Sequence, residues 1–401
     1  MTLPYDVITV GGGLVGSAIA KCLAEHGYRV LVLERERRFR DRVRGEQMHP
    51  WGVAEARTLG LYQRLADTCG HQTRWWTTYQ GATLLRRRDF VQTTPHQVGS
   101  FNFYHPDMQE TLMCMAAEAG AEVRRGVTVE MVTPGGPPSV SFRENGQLRE
   151  LQARLIVGAD GRASRVRGWA NFAVTRDPDR LTIAGALVEA EHIPDDGVHS
   201  VGGPTGRVLI APQGKNRARM YFMWPTTSAS RHLSGGSHES EFLAACRATG
   251  APAEWFEQAT VVGPLAKFNA TDHWVNHPAR DGVVLLGDAA SASDPCFGCG
   301  LSLTLLGVRQ IRDCLLASED WDAAIDQYAR EHDDSYGVVR RITNWLTELL
   351  YGAGHAADER RARVLPRLAT EPQRAPDVVG LGPASPSDDA TRRFVLGEDD
   401  A

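Results

Sequence analysis

From Tyr5 the chain runs apolar and β-branched to Val10, breaks into glycines at Gly11, Gly12 and Gly13, then resumes with apolar residues at helical spacing from Leu14 to about His26. A second β-rich run, Arg29 to Leu33, ends on Glu34. Strand, glycine turn, helix and strand in that order predict a βαβ unit. Helical spacing recurs from Pro50 to Ala66 in Trp51, Ala54, Leu59, Leu61 and Leu65, and a further helix is predicted after Pro106-Asp107 as far as Gly120. Trp75 to Gly99 reads as short strands, Ala121 to Val129 and Val140 to Arg143 as paired strands, and Leu155 to Gly158 as a buried strand running into Asp160-Gly161. From Phe172 to Ala270 period-two patterns dominate, in Leu181 to Glu191, Arg207 to Ala211 and Arg219 to Trp224, with one helix near Glu239 to Thr249. Gly282 to Leu286 returns to the uniformly apolar type that parallel sheets bury. A helix follows from about Gly300, and helical spacing continues through Trp321, Ile325, Tyr328, Val338, Ile342, Trp345 and Leu349 to about Leu368.

This order predicts an α/β protein with a discontinuous Rossmann-like nucleotide-binding domain assembled from residues 1–74, 100–171 and 272–320. The β-rich inserts, 75–99 and 172–271, make a second domain suited to binding substrate, and 321–369 form a C-terminal helical segment. Residues 370–401, punctuated by Pro372, Pro376, Gly380, Gly382, Pro383 and Pro386, are expected to be a flexible tail.

The glycine turn carries the first chemistry. Gly11 permits the tight turn, Gly13 lets backbone approach a pyrophosphate, and Gly16 lets the helix opening at Leu14 and Val15 pack on the strand with its amino terminus toward the phosphates. Glu34 stands where a carboxylate accepts from a ribose, which predicts a dinucleotide. The basic run after it places Arg35 and Arg44 at the carboxyl edge of the second strand as phosphate contacts, with His49 just beyond as a candidate base. Gly287-Asp288 ends a later buried strand, so Asp288 can hold ribityl or phosphate-side hydroxyls. The following Pro295, Gly298, Cys299, Gly300 and Leu301 open a helix whose glycines admit a planar ring and whose free N–H groups face it. A nicotinamide nucleotide alone would not need this third element; FAD would.

Three motifs in this order, Gly11-x-Gly13-x-x-Gly16 with Glu34, Gly158-Ala159-Asp160-Gly161-Arg162, and Gly287-Asp288-Ala289-Ala290 with Pro295 and Gly298-Cys299-Gly300, resemble the group A FAD-dependent monooxygenases of the para-hydroxybenzoate hydroxylase fold. The resemblance covers about residues 5 to 310. It implies that Asp160 and Gly161 act between cofactor pyrophosphate and NAD(P)H, and that Val129 joins the FAD contacts. It also implies a reaction in which NAD(P)H reduces FAD, O2 adds to give a C4a-hydroperoxide, and one oxygen passes to substrate. Arg44, His49, Pro295, Gly298 and Gly300 are the expected catalytic set. The chain departs from the family pattern in two places. Ser291 stands where histidine is common after Gly-Asp-Ala-Ala, and His105 stands where an arginine often opens the next helix, which makes Gln109 the expected flavin-side donor.

Composition narrows the partners. A formal charge of −5 argues against nucleic acid or an anionic membrane, and no apolar run reaches membrane-spanning length. Cleavage of a leader would remove the first strand and its glycines, and seven cysteines, an odd number scattered without pattern, suit a reduced, cytoplasmic setting. Cys296 and Cys299 form a lone Cys-x-x-Cys with no second pair for zinc, and read as packing thiols. Bulky residues on both faces of Arg219 to Pro225 put one face in the core of the second domain and the other in a pocket wall; Phe222 and Trp224 are read first as core and second as that wall, and Trp76, Phe101 and Phe103 as the opposite wall on the same terms. Such walls suit an aromatic or polycyclic small molecule. A separate flavin reductase supplying reduced FAD, a same-fold reductase and a halogenase are the alternatives, although the lysine and the Trp-x-Trp-x-Ile-Pro stretch of halogenases are missing.

Overall fold

The computed structural model describes residues 3–228, 233–352 and 354–399. Its centre is a parallel sheet in the order Val283–Leu285, Gln147–Gly158, Tyr5–Val10, Val30–Glu34 and Glu122–Arg125. Nearly every side chain of the two opening strands is buried, as sheets covered on both faces require. One face packs on the helices Leu14–Glu25, His105–Glu118 and Gly300–Ala317. The other is covered by an antiparallel meander of Thr128–Thr133, Ser139–Glu144 and the first half of Gln147–Gly158. Because the opening strand has parallel neighbours on both sides, the connection order reverses beside it, and the carboxyl edge at Val10, Glu34, Gly158 and Leu285 opens into a crevice.

The second sheet runs Thr260–Val261, Leu181–Glu189, Arg217–Pro225, Gly206–Gly214, Gly197–Gly203, Trp75–Gln80 and Thr83–Asp89. Its outer face packs on the helix Glu239–Arg247 and on Trp255 and Phe256; its inner face turns toward the loops at the edge of the parallel sheet. Gly197–Gly203 is a strand that the sequence pattern does not announce, since its glycines and serine dilute the alternation.

Two expectations are corrected. The stretch from Ala121 to Val129 is not one strand: Gly126, at φ +72°, turns the chain, so that Glu122–Arg125 extends the parallel sheet and Thr128–Thr133 joins the meander. Nor is the stretch after residue 370 a flexible tail. Val378–Leu381 and Asp389–Leu396 are helices, with Val378, Phe394, Val395 and Leu396 buried. Trp51 Nε1 donates to the Val378 carbonyl at 3.1 Å, and Arg88 forks onto Asp377 at 2.7 and 2.6 Å. Arg374 lies over the Phe394 ring and also meets Asp399, whose carboxyl is held down to about 2, chiefly by its bond from Arg367. Sparse apolar anchors and paired charges order a segment whose proline and glycine content reads as loose. Among the described residues no helix is long and apolar enough to cross a membrane.

Candidate active site

The glycine turn is forced by contact. Gly11 sits at φ +102°, and a Cβ there would stand 2.5 Å from the Ala159 carbonyl oxygen; on Gly16 it would stand 1.8 Å from the Gly11 oxygen. The helix Leu14–Glu25 opens at Gly13 without any side-chain cap, so its first N–H groups remain available to an anion. Glu34 is buried and accepts from the N–H groups of Gly12 at 2.6 Å and Glu36 at 2.7 Å, one on each oxygen, which fixes the carboxylate and leaves each oxygen further accepting capacity.

The other expected cofactor residues converge here. Gln109 Nε2 lies 3.2 Å from a Cβ built on Gly13, Val15 lies 2.5 Å from one built on Gly287, and Leu301 lies 3.8 Å from one on Gly45. Arg44 Nη1 is 3.7 Å from Asp288 Oδ2, both side chains being partly open to solvent. Val129 stands two residues beyond Val127, whose N–H donates to the Glu34 carbonyl at 3.0 Å. Arg35 does not join them: its side chain faces outward, 3.6 Å from Glu36 Oε1, which corrects its expected place as a phosphate contact.

Asp160 accepts from the N–H groups of Arg165 at 2.7 Å and Val166 at 3.2 Å through one oxygen, while the other is buried with no protein partner. Gly161 takes the left-handed turn at φ +78°. Beside them is a residue that sequence reading passed over. Arg167 is buried, donates to the Arg162 carbonyl, and keeps Nη1 buried without a protein partner. Burial pulls its pKa down, against the nearby carboxylates of Asp160 and Asp288. A period-3.6 reading of 164–170 would have turned Arg167 inward, away from the exposed Arg165, which lies over Trp169.

The loop from Asp294 to Gly300 is held from behind. Asp294 caps its turn by accepting from Cys296 N–H at 2.9 Å, and Gly298 takes φ +67°. A Cβ on Gly298 would stand 3.0 Å from Gln47 Oε1 and 3.2 Å from His49 Nε2. His49 is fully buried: Nε2 meets the Phe297 carbonyl at 2.6 Å and Nδ1 meets Gln47 Nε2 at 3.1 Å, so we assign the Nε2–H tautomer. Burial lowers its pKa to about 4. The expectation that His49 is a base is therefore corrected: with both nitrogens engaged behind the loop, it positions Phe297 and Gly298. On the other side, burial raises the Asp272 carboxyl to about 6 while it accepts from Tyr336 Oη at 2.8 Å and Asp294 N–H at 3.2 Å. The helix Gly300–Ala317 also starts without a side-chain cap. Ser291 meets His332 Nε2 at 2.9 Å, so an imidazole from the Trp321–Tyr351 helix occupies the neighbourhood of the missing histidine.

The two thiols diverge. Cys296 joins the inner-face cluster and Cys299 packs with Trp51, Leu306 and Val339; both are free, and burial pushes both thiols up, away from reactivity.

This loop packs through Cys296 and Phe297 on the inner face of the β-rich sheet: Leu181, Ile183, Leu209, Tyr221 and Met223, with Trp76 and Tyr351 at its margin. This corrects four substrate expectations. Phe222 and Trp224 point to the outer face, in the core with Phe242 and Trp255, and stack on each other at 5.4 Å. Phe101 and Phe103 are buried in the core of the helical layer. Trp76 alone of the five lies at the wall, 5.9 Å from the His49 ring. The signal for the correct face is Arg219: an ionisable residue in phase with Tyr221 and Met223 marks the side that meets polar loops.

Residues 4–333 match the model of the FAD binding domain family. The chain belongs to that family, the group A flavoprotein monooxygenases. Kynurenine 3-monooxygenase of Salinispora tropica is 27% identical over 402 residues, covering 90% of this chain and 85% of that protein. Digeranylgeranylglycerophospholipid reductase of Methanocella arvoryzae is 28% identical over 353 residues, covering 84% and 85%. Among solved structures, p-nitrophenol 4-monooxygenase of Pseudomonas putida superposes with a TM-score of 0.79 at 17% identity, covering 100% of this chain and 98% of that one. Aklavinone-11 hydroxylase in complex with FAD and aklavinone follows at 0.73 and 17%, covering 88% and 70%. These superpositions establish the shared fold.

The flavoprotein's residues fit FAD. Gly11 and Gly16 pack against the Ala159 and Gly11 carbonyl oxygens too closely for any side chain, which fixes the turn, Asp160 Oδ1 and Arg167 Nη1 are buried polar atoms with no protein partner, and two uncapped helices start at this crevice. FAD is the cofactor of this family, with NAD(P)H and O2 typical of the class.

Proposed function

We propose that this flavoprotein uses NAD(P)H and O2 to hydroxylate or epoxidise an aromatic or polycyclic small molecule. The observation that carries the reading is the apolar, aromatic inner face, Leu209, Tyr221, Met223 and Trp76, set against the uncapped Gly298–Gly300 loop. When bound, FAD supplies the acceptance of hydride and the activation of oxygen. One oxygen atom enters the substrate, and the other leaves as water with the hydride and a proton.

The chain's own residues orient and shield. Glu34 takes the ribose, the Gly13 to Val15 helix start takes the pyrophosphate with Arg44 at its flank, and Asp288 takes the ribityl side. The Gly300 N–H groups face the ring edge where negative charge collects on reduction. Pro295 and Gly298 shape the surface over which substrate lies, and the inner-face wall excludes water. Residues 1–74, 100–171 and 272–320 form the FAD-binding domain in this reading, and 75–99 with 172–271 the substrate domain. The unpaired thiols support a cytoplasmic setting.

A second reading is favoured by the 28% identity to a lipid reductase: reduction of an isoprenoid double bond by the same bound flavin. Oxygen uptake with NADPH, then NADH, across an aromatic panel separates the two. Substrate-stimulated uptake with an oxygenated product supports the monooxygenase. Uptake only with an added flavin reductase supports the two-component variant, and a saturated product formed without oxygen supports the reductase.

A further inference from the structure

The Trp321–Tyr351 helix meets the back of the flavin loop through polar side chains at four-residue spacing, which places them on one face. His332 engages Ser291, Tyr336 donates to Asp272 Oδ1 at 2.8 Å, and Arg340 forks onto Asp177 at 2.9 and 2.6 Å. The Asp177 N–H in turn donates to the Asp272 carbonyl at 3.0 Å. Asp272 Oδ1 also accepts from the Asp294 N–H at 3.2 Å, and Asp294 Oδ1 caps the turn Pro295–Phe297 that leads into Gly298. One carboxylate thus holds the backbone of the other, and the second holds the loop.

Asp272 is 2% exposed and Asp294 7%, and among the described residues no cation stands within ion-pair distance of either carboxylate. Arg340 is spent on Asp177, and Arg162 and Arg180 act on Asp294 only from beyond contact. The other titratable neighbours bring no compensating charge. Burial raises the Tyr336 and Tyr351 phenols and the Cys296 and Cys299 thiols, which keeps them neutral. His332 stacks on Tyr336 at 6.0 Å with Ser291 and Asp333 on its nitrogens. Two carboxylates enclosed together without a counter-ion do not both ionise readily, so they titrate as one unit that keeps a proton between them. Burial raises both, Asp272 to about 6.

We propose that Asp272 and Asp294 are the positioning pair of the flavin loop, holding it in its FAD-binding shape through one shared proton. The proposal rests on the reading of Pro295 to Gly300 as the loop that lies against the flavin. Loss of that proton sets two like charges in a closed space, so Asp294 is driven from Asp272 and the cap on Pro295–Phe297 goes with it. FAD is itself an anion and covers the loop from water, and both effects strengthen the hold on the proton. Affinity for FAD then falls as pH rises, and binding draws a proton from solution.

The test is the Kd of FAD, read from its absorbance on titration into the full chain at a series of pH values from about 6 to about 8.5, with proton uptake recorded in weak buffer. Wild-type affinity should fall by about tenfold or more across that range. Asp272→Asn, neutral at every pH and still an acceptor, should hold its affinity to within about threefold and lose the proton uptake. Asp294→Asn should flatten the profile in the same way, so that misfolding of one variant, seen as a fall in Tm, leaves the other to decide. Tyr336→Phe removes a bond that favours the ionised form, and its fall in affinity should move to higher pH. His332→Gln should keep the wild-type profile. A wild-type change smaller than about threefold, a fall that persists in both Asn variants, or one that vanishes in His332→Gln would overturn the proposal. Failure to bind FAD at any pH overturns the FAD reading along with this one, whereas binding that ignores pH overturns this one alone.

Discussion

The cradle at the edge of the parallel sheet is built from backbone, whereas the wall that faces it is built from side chains. In the cradle, Gly11 and Gly16 let backbone meet backbone too closely for any side chain, and the helix starts at Leu14 and Gly300 present N–H groups with no side-chain competitor. In the wall, Tyr221, Leu209 and Ser200 share a face only because three strands pair in one register. A turn is specified by neighbours in sequence. A wall is specified by pairing between strands, and a shift of one residue would turn every side chain over.

Substitutions on either side of that contrast should fail differently. The largest effect is expected at Gly16→Ala, whose methyl would lie 1.8 Å from the Gly11 oxygen. The turn must open, and protein purified with excess FAD should lack flavin absorbance. Phe222→Ala, on the outer face, should cost about 3–5 kcal/mol in denaturant unfolding and leave substrate preference unchanged. Arg219→Met strands the buried carboxylates of Glu46 and Asp41 at a similar cost, about 3–5 kcal/mol, and loosens the loop carrying Arg44, so FAD affinity should fall with stability.

Two groups that brace the Gly298 loop should respond to pH with opposite sign. His49 titrates at about 4 when folded against an ordinary 6.5, so below 6.5 the unfolded chain takes a proton that the native state refuses. Stability from this group is present above 6.5 and is lost toward 4, by about 3 kcal/mol at the low end. Asp272, raised to about 6 from an ordinary 3.8, keeps when folded a proton the unfolded chain has released, and so costs stability as pH rises through that interval. Urea midpoints should therefore show His49→Gln gaining on the wild type as pH falls, and Asp272→Asn gaining as pH rises. The smallest effect is expected from Tyr221→Phe, which removes the 2.5 Å hydroxyl contact to the Arg44 carbonyl. It should cost about 1 kcal/mol, read by the same unfolding assay, and leave FAD bound.

The same contrast explains what could be read from sequence. Gly11, Gly16, Glu34, Asp160, Asp288 and Gly298 stand in short motifs whose spacing is their geometry, and the structure brings them to one crevice. The aromatic wall was not legible. In Arg219 to Trp224 both phases are bulky, and beyond the single charge of Arg219 it is the pairing with Gly206–Gly214 and Leu181–Glu189 that shows Tyr221 and Met223 on the inner face. His49 was placed near the correct loop but on its buried side, because no local pattern distinguishes front from back. Arg167 carried a local signal in its inward helical phase, whereas His332 became visible only once distant elements were packed. The C-terminal helices escaped because their anchors, Val378 and Phe394, are few and their partners, Trp51, Arg367 and Arg374, lie elsewhere in the chain.

The central claim, that three separated motifs hold one FAD, is tested most directly by titrating FAD into the purified protein and following its visible absorbance. The account predicts saturation at one FAD per chain for the wild type and no bound flavin for Asp288→Ala. A wild-type protein that binds no FAD, or an Asp288→Ala protein that saturates like the wild type, would contradict it.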